Sequence, residues 1–447
     1  MRNFIFLRLG ALQQNYWFWP AIMCLVALLL GILFPYLDMR LGAGWIDRVA
    51  FVRPTEVAGA RAILTTLAAA TLGVAGVAFS VTIVAVSFAS ANYGPRLIGN
   101  FMADKHNQIV LGIFVATFVY CITVLSTVHA GTEFAGNTLD AFVPQLSVLL
   151  ALLLMLTAVG ALIAYIHHIP ESINIMNLTA GIGDKLDRAI ARMMDAEDDR
   201  GPPDTDVEPW REAPPPANAR VVRARSAGFL QQVDIKRLVA FAGEQRTQIT
   251  LHRAPGDFLV MGEVIVSARA CEEGDEAFAD RIHACYTQGD NRTDVQDVFF
   301  LSDQLVEVLG RALSTGVNDP HTAMLCLDWL RVGLVGFARR APAQPAGRND
   351  PLLYRRITFE DLLDRSFDRM RQYIAADRNA TLHAFTVLQD VASVAACPPM
   401  VNACVRQMQM LGRSANELLA ESAARQEVDA DLKRALARIS GPGARSA

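Results

Sequence analysis

Four stretches of this 447-residue chain contain no Asp, Glu, Lys or Arg: Trp17 to Leu37, Ala62 to Ala91, Gln108 to Val128 and Phe142 to Ile166. Charge-coupled transport usually keeps an ionisable side chain inside the membrane, so this absence argues against it. The seven cysteines (Cys24, Cys121, Cys271, Cys285, Cys326, Cys397 and Cys404) show neither metal-knuckle spacing nor a compact disulfide framework, and read as reduced, mostly buried thiols. An excess of one charge is also missing. The formal net charge is -4, which gives no sign of a nucleic-acid partner. A nucleophile elbow, a phosphate loop, paired catalytic carboxylates and a zinc-protease helix are all absent. The chain therefore reads as a non-enzyme with no cofactor and no metal centre.

What is present is apolar and unevenly distributed. Hydrophobic residues make up 52% of the chain and charged residues 19%, with the apolar ones concentrated before about Ile169. Each uncharged stretch is long enough to cross a hydrocarbon core of about 30 Å. Tyr16, Trp17, Phe18 and Trp19 precede Pro20, which suits an interfacial aromatic belt followed by a helix-opening proline. The long apolar segment, the missing Ala-x-Ala pattern and the crowded aromatics argue against a cleavable leader. Arg2 and Arg8 precede the first span, Arg96 and Lys105 follow the second, and Lys185, Arg188 and Arg192 follow the fourth. The positive-inside rule then places both termini in the cytoplasm. The loop from His129 to Asp140, with acids but no Lys or Arg, agrees. The first loop, with Arg40, Arg48, Arg53 and Arg61, dissents.

The second span carries a stripe of small residues: Ala62, Thr66, Ala69, Gly73, Gly76, Ser80, Ser87, Ser90 and Gly94, interrupted only at Ile83. Such a seam lets helix backbones approach closely in lipid. A continuous helix from Ala62 to Gly94 would rise roughly 50 Å, so it is expected to tilt, kink or project from the bilayer.

The fold class is an α-helical integral membrane protein, with four transmembrane helices followed by a cytoplasmic α+β region (a small β-rich module and a helical bundle). The transmembrane domain is placed at 1–170. Residues 171–220 form a connecting helix, continuing from the last span, and a Pro-rich linker that holds Pro202, Pro203, Pro209, Pro214, Pro215 and Pro216. Short β-branched runs place the β-rich module at 221–270. Its order of strand, helix, Pro-Gly-Asp and second strand pair resembles barrel-sandwich domains. Lys236 begins a helix instead of sitting in a hairpin, so no swinging-arm group is expected there. Helical periodicity covers 271–440, with Val298, Leu301, Leu305, Val308 and Ala312 on one face, and 441–447 is a disordered tail.

Three polar groups invite a sharper reading beside a plain one. His167, His168 and Glu171 place donors on adjacent helical turns. Interfacial anchoring is the plain role, pH sensing by His167 and His168 the sharper one, and a metal site would need further ligands. Asn318, Asp319 and His321 surround Pro320, which is either a helix start or a binding loop. Arg292, Thr293, Asp294 and Asp297 combine a cap, through Thr293 or Asp294, with an ion pair between Arg292 and a neighbouring helix. These clusters, with Arg311, are expected to meet at a domain or subunit interface where an anionic ligand could bind.

The segments RAILTT, VAFSVTIVAVSFASANYGPRLI and RTDVQDVFFLSDQLVEVLGRALSTGVNDPHTA resemble the bacterial domain-of-unknown-function 2254 family. Further markers are Gly228 with Asp234, and Pro255 to Asp257. The resemblance covers nearly the whole chain and implies a predicted bacterial membrane protein, hence the inner membrane, without implying a reaction. Two functions of different class follow from the residues. One is an oligomeric channel whose second span, through Thr66, Ser80, Ser87 and Ser90, lines or supports a path for an ion or small solute. The other is a membrane-anchored sensor or scaffold whose cytoplasmic part binds a ligand or partner. The expected partners are membrane lipid and further copies of the chain.

Overall fold

The computed structural model describes residues 17–41, 55–94, 104–130, 132–134, 137–139, 141–198, 215, 218–269, 274–340 and 350–440. The chain divides into two compact units, Met1–Asn174 and Ile175–Ala447.

The first unit contains helices α1 (Phe18–Leu41), α2 (Val57–Tyr93), α3 (Lys105–Leu125) and α4 (Gln145–Ser172). All four are long and apolar enough to cross a membrane. α3 packs against the other three, so it carries the most buried span. Leu64, Phe114, Tyr120, Val124 and Ala151 fill the space around it. Hydroxyls in this apolar setting satisfy themselves locally: Thr71, Thr117 and Thr123 each donate to the carbonyl four residues back. Buried Asp38 caps α4 from the end of α1, accepting from the amides of Leu146 (2.9 Å) and Ser147 (3.0 Å) and from the Ser147 hydroxyl. A carboxylate at a helix N-terminus meets unpaired amides and the positive end of the dipole. The loop after α3 holds an antiparallel hairpin of β1 (Thr132–Phe134) and β2 (Asn137–Leu139). α2, with 37 residues, is unbroken and about 55 Å long, well beyond a hydrocarbon thickness.

α4 does not run on into the next helix as the sequence suggested. It ends at Ser172, two residues after Pro170, whose missing amide weakens the final turn. α5 (Ile175–Asp198) then begins the second unit. It is a core element and not a connector, because Ile182, Leu186, Ala189, Ile190 and Met194 form a buried stripe against later helices. Of the linker expected at 198–219, residues 199–214, 216 and 217 lie outside the described residues, as does the tail expected at 441–447.

The β-rich module is not confined to 221–270. It comprises β3 (Arg220–Arg223), β4 (Gly228–Val233), α6 (Ile235–Glu244), β5 (Ile249–Leu251), β6 (Phe258–Leu259) and β7 (Val264–Ala268), followed by α7 (Asp275–His283), β8 (Tyr286–Gly289) and, much later, β9 (Leu352–Tyr354). One sheet has the order β3-β7-β5-β9, with β9 parallel to β5; the other is β6-β4-β8. β8 and β9 were hidden in the region expected to be helical, since three or four residues carry too little periodicity to register. The two sheets and α6 and α7 enclose one core containing Leu230, Phe241, Ile249, Ile265, Phe278 and Ile282.

The remaining helices are α8 (Val298–Ala312), α9 (Pro320–Ala338), α10 (Phe359–Ile374), α11 (Arg378–Ser393), α12 (Pro398–Leu418) and α13 (Ser422–Ser440). α8 packs on α5, α9 and α10, while α11 lies against α9, α12 and α13. Their starts are chemically marked: Asp297, Asp319, Thr358 and Asp377 each accept an amide hydrogen bond at a helix N-terminus.

Candidate functional site

A buried polar constellation lies where the β-rich module meets the helices. Asp297, the cap of α8, accepts from the Phe300 amide at 3.0 Å and from Arg292 Nε at 2.7 Å. The same guanidinium donates through Nη1 to Asp303, further along α8, at 2.8 Å. Asp303 also receives Arg365 Nη2 at 3.0 Å and Arg369 Nη1 at 2.5 Å, both from α10. Arg365 and Arg369 reach one carboxylate because positions four apart share a helix face. Arg292 and Arg365 lie over the rings of Phe300 and Phe299.

Both carboxylates are 2% exposed, yet they titrate in opposite directions. For Asp303, burial alone would push the carboxyl up, but hydrogen bonds and charge from Arg365, Arg292 and Arg369 outweigh burial and hold it below the usual carboxylate range. For Asp297, burial outweighs the single shared guanidinium and pushes the carboxyl up. Two acids and three arginines leave one positive charge in excess. The third member of the junction is the Pro255-Gly256-Asp257 turn. Gly256 has φ +97, donates its amide to Leu230 O at 2.7 Å, and lies directly against the Asp297 carboxylate. Marker residues separated by some forty positions thus converge on one point.

Within one chain, the other residues expected to join Arg292 and Asp297 do not. Arg311, in the last turn of α8, and Asn318, Asp319 and His321 beyond it lie about 20 Å from Asp297 along a 15-residue helix. Arg311 pairs with Glu307 at 4.0 Å. Asn318 adopts φ +50, and Asp319 caps α9 through the Thr322 amide at 3.1 Å and hydroxyl at 2.6 Å. His321 lines a separate groove of about 560 Å³ formed by α9, α11 and α13, with His383, Asn379, Glu427, Asp431 and Arg434. His383 is fixed by Asp328 at 3.0 Å and Glu427 by two nitrogens of Arg378, each at 2.6 Å.

The histidines at the end of α4 also separate. His167 is exposed and stands 3.4 Å from Glu171. His168 turns inward: its Nε2 lies 2.6 Å from Asp104 Oδ2 at the start of α3, and its ring rests 4.3 Å from that of His106. Among the described residues, no three His, Cys, Asp or Glu side chains are grouped to hold a metal ion.

On α2, the stripe that packs within the chain is not the one singled out from the sequence. Ala60, Leu64, Ala68, Thr71, Ala75, Ala78, Thr82, Ala85 and Ala89 are buried, and Tyr165 of α4 binds Thr82 at 2.8 Å. Thr66, Gly73, Gly76, Ser80 and Ser87 lie on an adjacent face and are exposed; Ser90 is half-buried and Gly94 buried. A methyl group added at Gly73 or Gly76 would meet nothing within 4 Å.

Asp104, His106, Asp303, Arg365, Arg369 and His383 were missed in the sequence. Asp303 alone carried a local signal, an acid within the apolar run Val298 to Val308.

Four apolar spans followed by a unit of mixed helices and strands define a polytopic membrane protein with a substantial extramembrane part. The family model described as predicted membrane protein (DUF2254) matches residues 13–390, and the chain belongs to that family. Among curated proteins, uncharacterized proteins of Mycobacterium tuberculosis and Mycobacterium bovis are each 30% identical over 322 residues, covering 71% of this chain and 59% of theirs. The chain thus matches about three-fifths of the length of these relatives. No solved structure matches it.

Proposed function

We propose that this protein is an oligomeric, channel-like component of the bacterial inner membrane, with both termini and the second unit in the cytoplasm, where that unit regulates passage. The observation that carries the proposal is the outward face of α2. Gly73, Gly76, Ser80 and Ser87 leave a shallow, hydroxyl-bearing strip uncovered, although the same helix already buries a complete alanine and threonine strip inside its own bundle. Close approach of another copy along that strip is the favourable use of small residues in lipid. The core around α3 is filled by Phe114 and Tyr120, so the conduit belongs between copies and not within one. Hydroxyls and carbonyls along the strip would provide a passive path without ionisable relays, and no catalytic step is assigned. In proteoliposomes, ion or small-anion flux is expected, and Ser80→Leu or Ser87→Leu should reduce it to the empty-vesicle level while leaving the oligomer intact. Absence of flux across a range of pH and voltage overturns the proposal.

A second function is favoured by the α9, α11 and α13 groove, whose size and mixed polar lining suit a small hydrogen-bonding ligand. It would make the protein a membrane-anchored sensor. In that case, a metabolite screen on the detergent-solubilised full chain should raise the unfolding temperature with at least one compound, and His321→Ala with Arg434→Ala should abolish the rise. A screen without a shift removes this function.

A further inference from the structure

The turn between β6 and β7 presents its most apolar side chains to solvent. Phe258 is 54% exposed, Val260 58% and Met261 74%, and half-buried Phe229 on β4 supports Phe258 edge-on at a ring separation of 5.1 Å. This display is held by structure. Gly262, at φ +86, supplies the third position of a tight turn closed by Glu263 N donating to Val260 O at 3.0 Å. The Glu263 carboxylate accepts the Val260 amide at 2.9 Å, and the Gly262 amide donates to Ala224 O at 2.9 Å. Arg223 Nη1 donates to Gly262 O at 2.9 Å. Arg223 is exposed and has no acidic partner among the described residues, whereas the neighbouring Arg253 and Arg225 are neutralised by Glu263 and Asp280.

We infer that the Phe258 to Gly262 turn is a bilayer-contact tip: Phe258, Val260 and Met261 enter the interfacial layer while Arg223 meets an anionic lipid headgroup. Three considerations select a lipid surface over a second protein. The exposed patch amounts to three side chains, far below the roughly 800 Å² per partner of a stable protein interface. An apolar tip flanked by one uncompensated guanidinium matches the chemistry of an interface, in which acyl chains lie beneath anionic headgroups. The chain's own apolar spans keep a bilayer at a high effective concentration, so a weak contact suffices. The inference is independent of whether the protein conducts.

The test uses the full chain in nanodiscs with p-benzoylphenylalanine in place of Met261, a side chain exposed enough for the change to leave the fold intact. After irradiation, intact-mass analysis is expected to find lipid adducts in discs containing phosphatidylglycerol. The yield should fall by about fivefold in pure phosphatidylcholine discs or with Arg223→Gln, the loss expected for one basic contact at an anionic surface. The spin-labelled lipid quenching that Met261→Trp adds to that of the chain's own tryptophans gives a second readout, expected to fall with the same changes. Adducts confined to protein, within one chain or between copies, would overturn the inference, and so would the absence of any lipid adduct or of quenching beyond that of the parent chain.

Discussion

Asp303→Ala is expected to destabilise the second unit by about 3 kcal/mol, the lower end of the range for removing one partner of a buried ion pair. The lower end applies because Arg369 is 47% exposed and Arg365 31%, so water screens part of the charge left behind. Arg292, 16% exposed, would remain beside the cavity and keep its pairing with Asp297. Denaturant or thermal unfolding of the purified full chain checks the size of the effect. Arg369→Gln, which leaves Asp303 with two arginines, should cost less than about 1 kcal/mol. Equal effects for the two variants would show that Asp303 is not the organising charge. The pH dependence has a definite sign. The folded-state Asp303 carboxyl is held below its unfolded value of about 3.9, so its contribution is present above that pH and is lost as pH falls through it towards the folded value. In Asp303→Asn, this acid-side loss of stability should shrink.

Gly256→Ala should be comparably damaging. A side chain at φ +97 costs about 1–3 kcal/mol in backbone strain. In addition, its β-carbon would occupy the position of the Asp297 carboxylate. Displacing that group removes the cap of α8 and one anchor of Arg292, so a total loss of about 3 kcal/mol is expected. A double-mutant cycle separates the contributions. With Asp297→Ala in place, the carboxylate that the added β-carbon would strike is gone, and Gly256→Ala should then cost only the strain. Strict additivity would mean that the contact between the turn and Asp297 contributes nothing. Pro255→Ala, which changes neither the left-handed residue nor the carboxylate, serves as the control.

The contrast between these two positions and their neighbours explains what could be read early. Asp319 is recognisable as a cap because a cap acts within three residues of its own position; for α8 the cap is Asp297 and not the expected Thr293 or Asp294. Asp303 looks only like an acid in an apolar helix, since its partners Arg365 and Arg369 stand 62 and 66 residues away. Arg292 and Asp319 seemed to belong together through their shared segment, yet α8 is a rigid spacer that holds them apart. β8 and β9 were illegible for a related reason. Each is defined by a partner strand far along the chain and not by a pattern of its own.

The amino-acid sequence by itself determined the four spans, the helix starts at Pro320 and Phe359 and the family, because hydropathy, capping and motif identity are properties of adjacent residues. Tertiary structure alone decided which face of α2 turns inward. Its alanine stripe and its glycine and serine stripe are both small enough to sit against another helix, so local chemistry is indifferent between them. The side chains of α3 and α4, Tyr165 above all, select the first and leave the second exposed. The same applies to the arginine hub, since a carboxylate in an apolar helix is stable only where distant cations arrive to meet it.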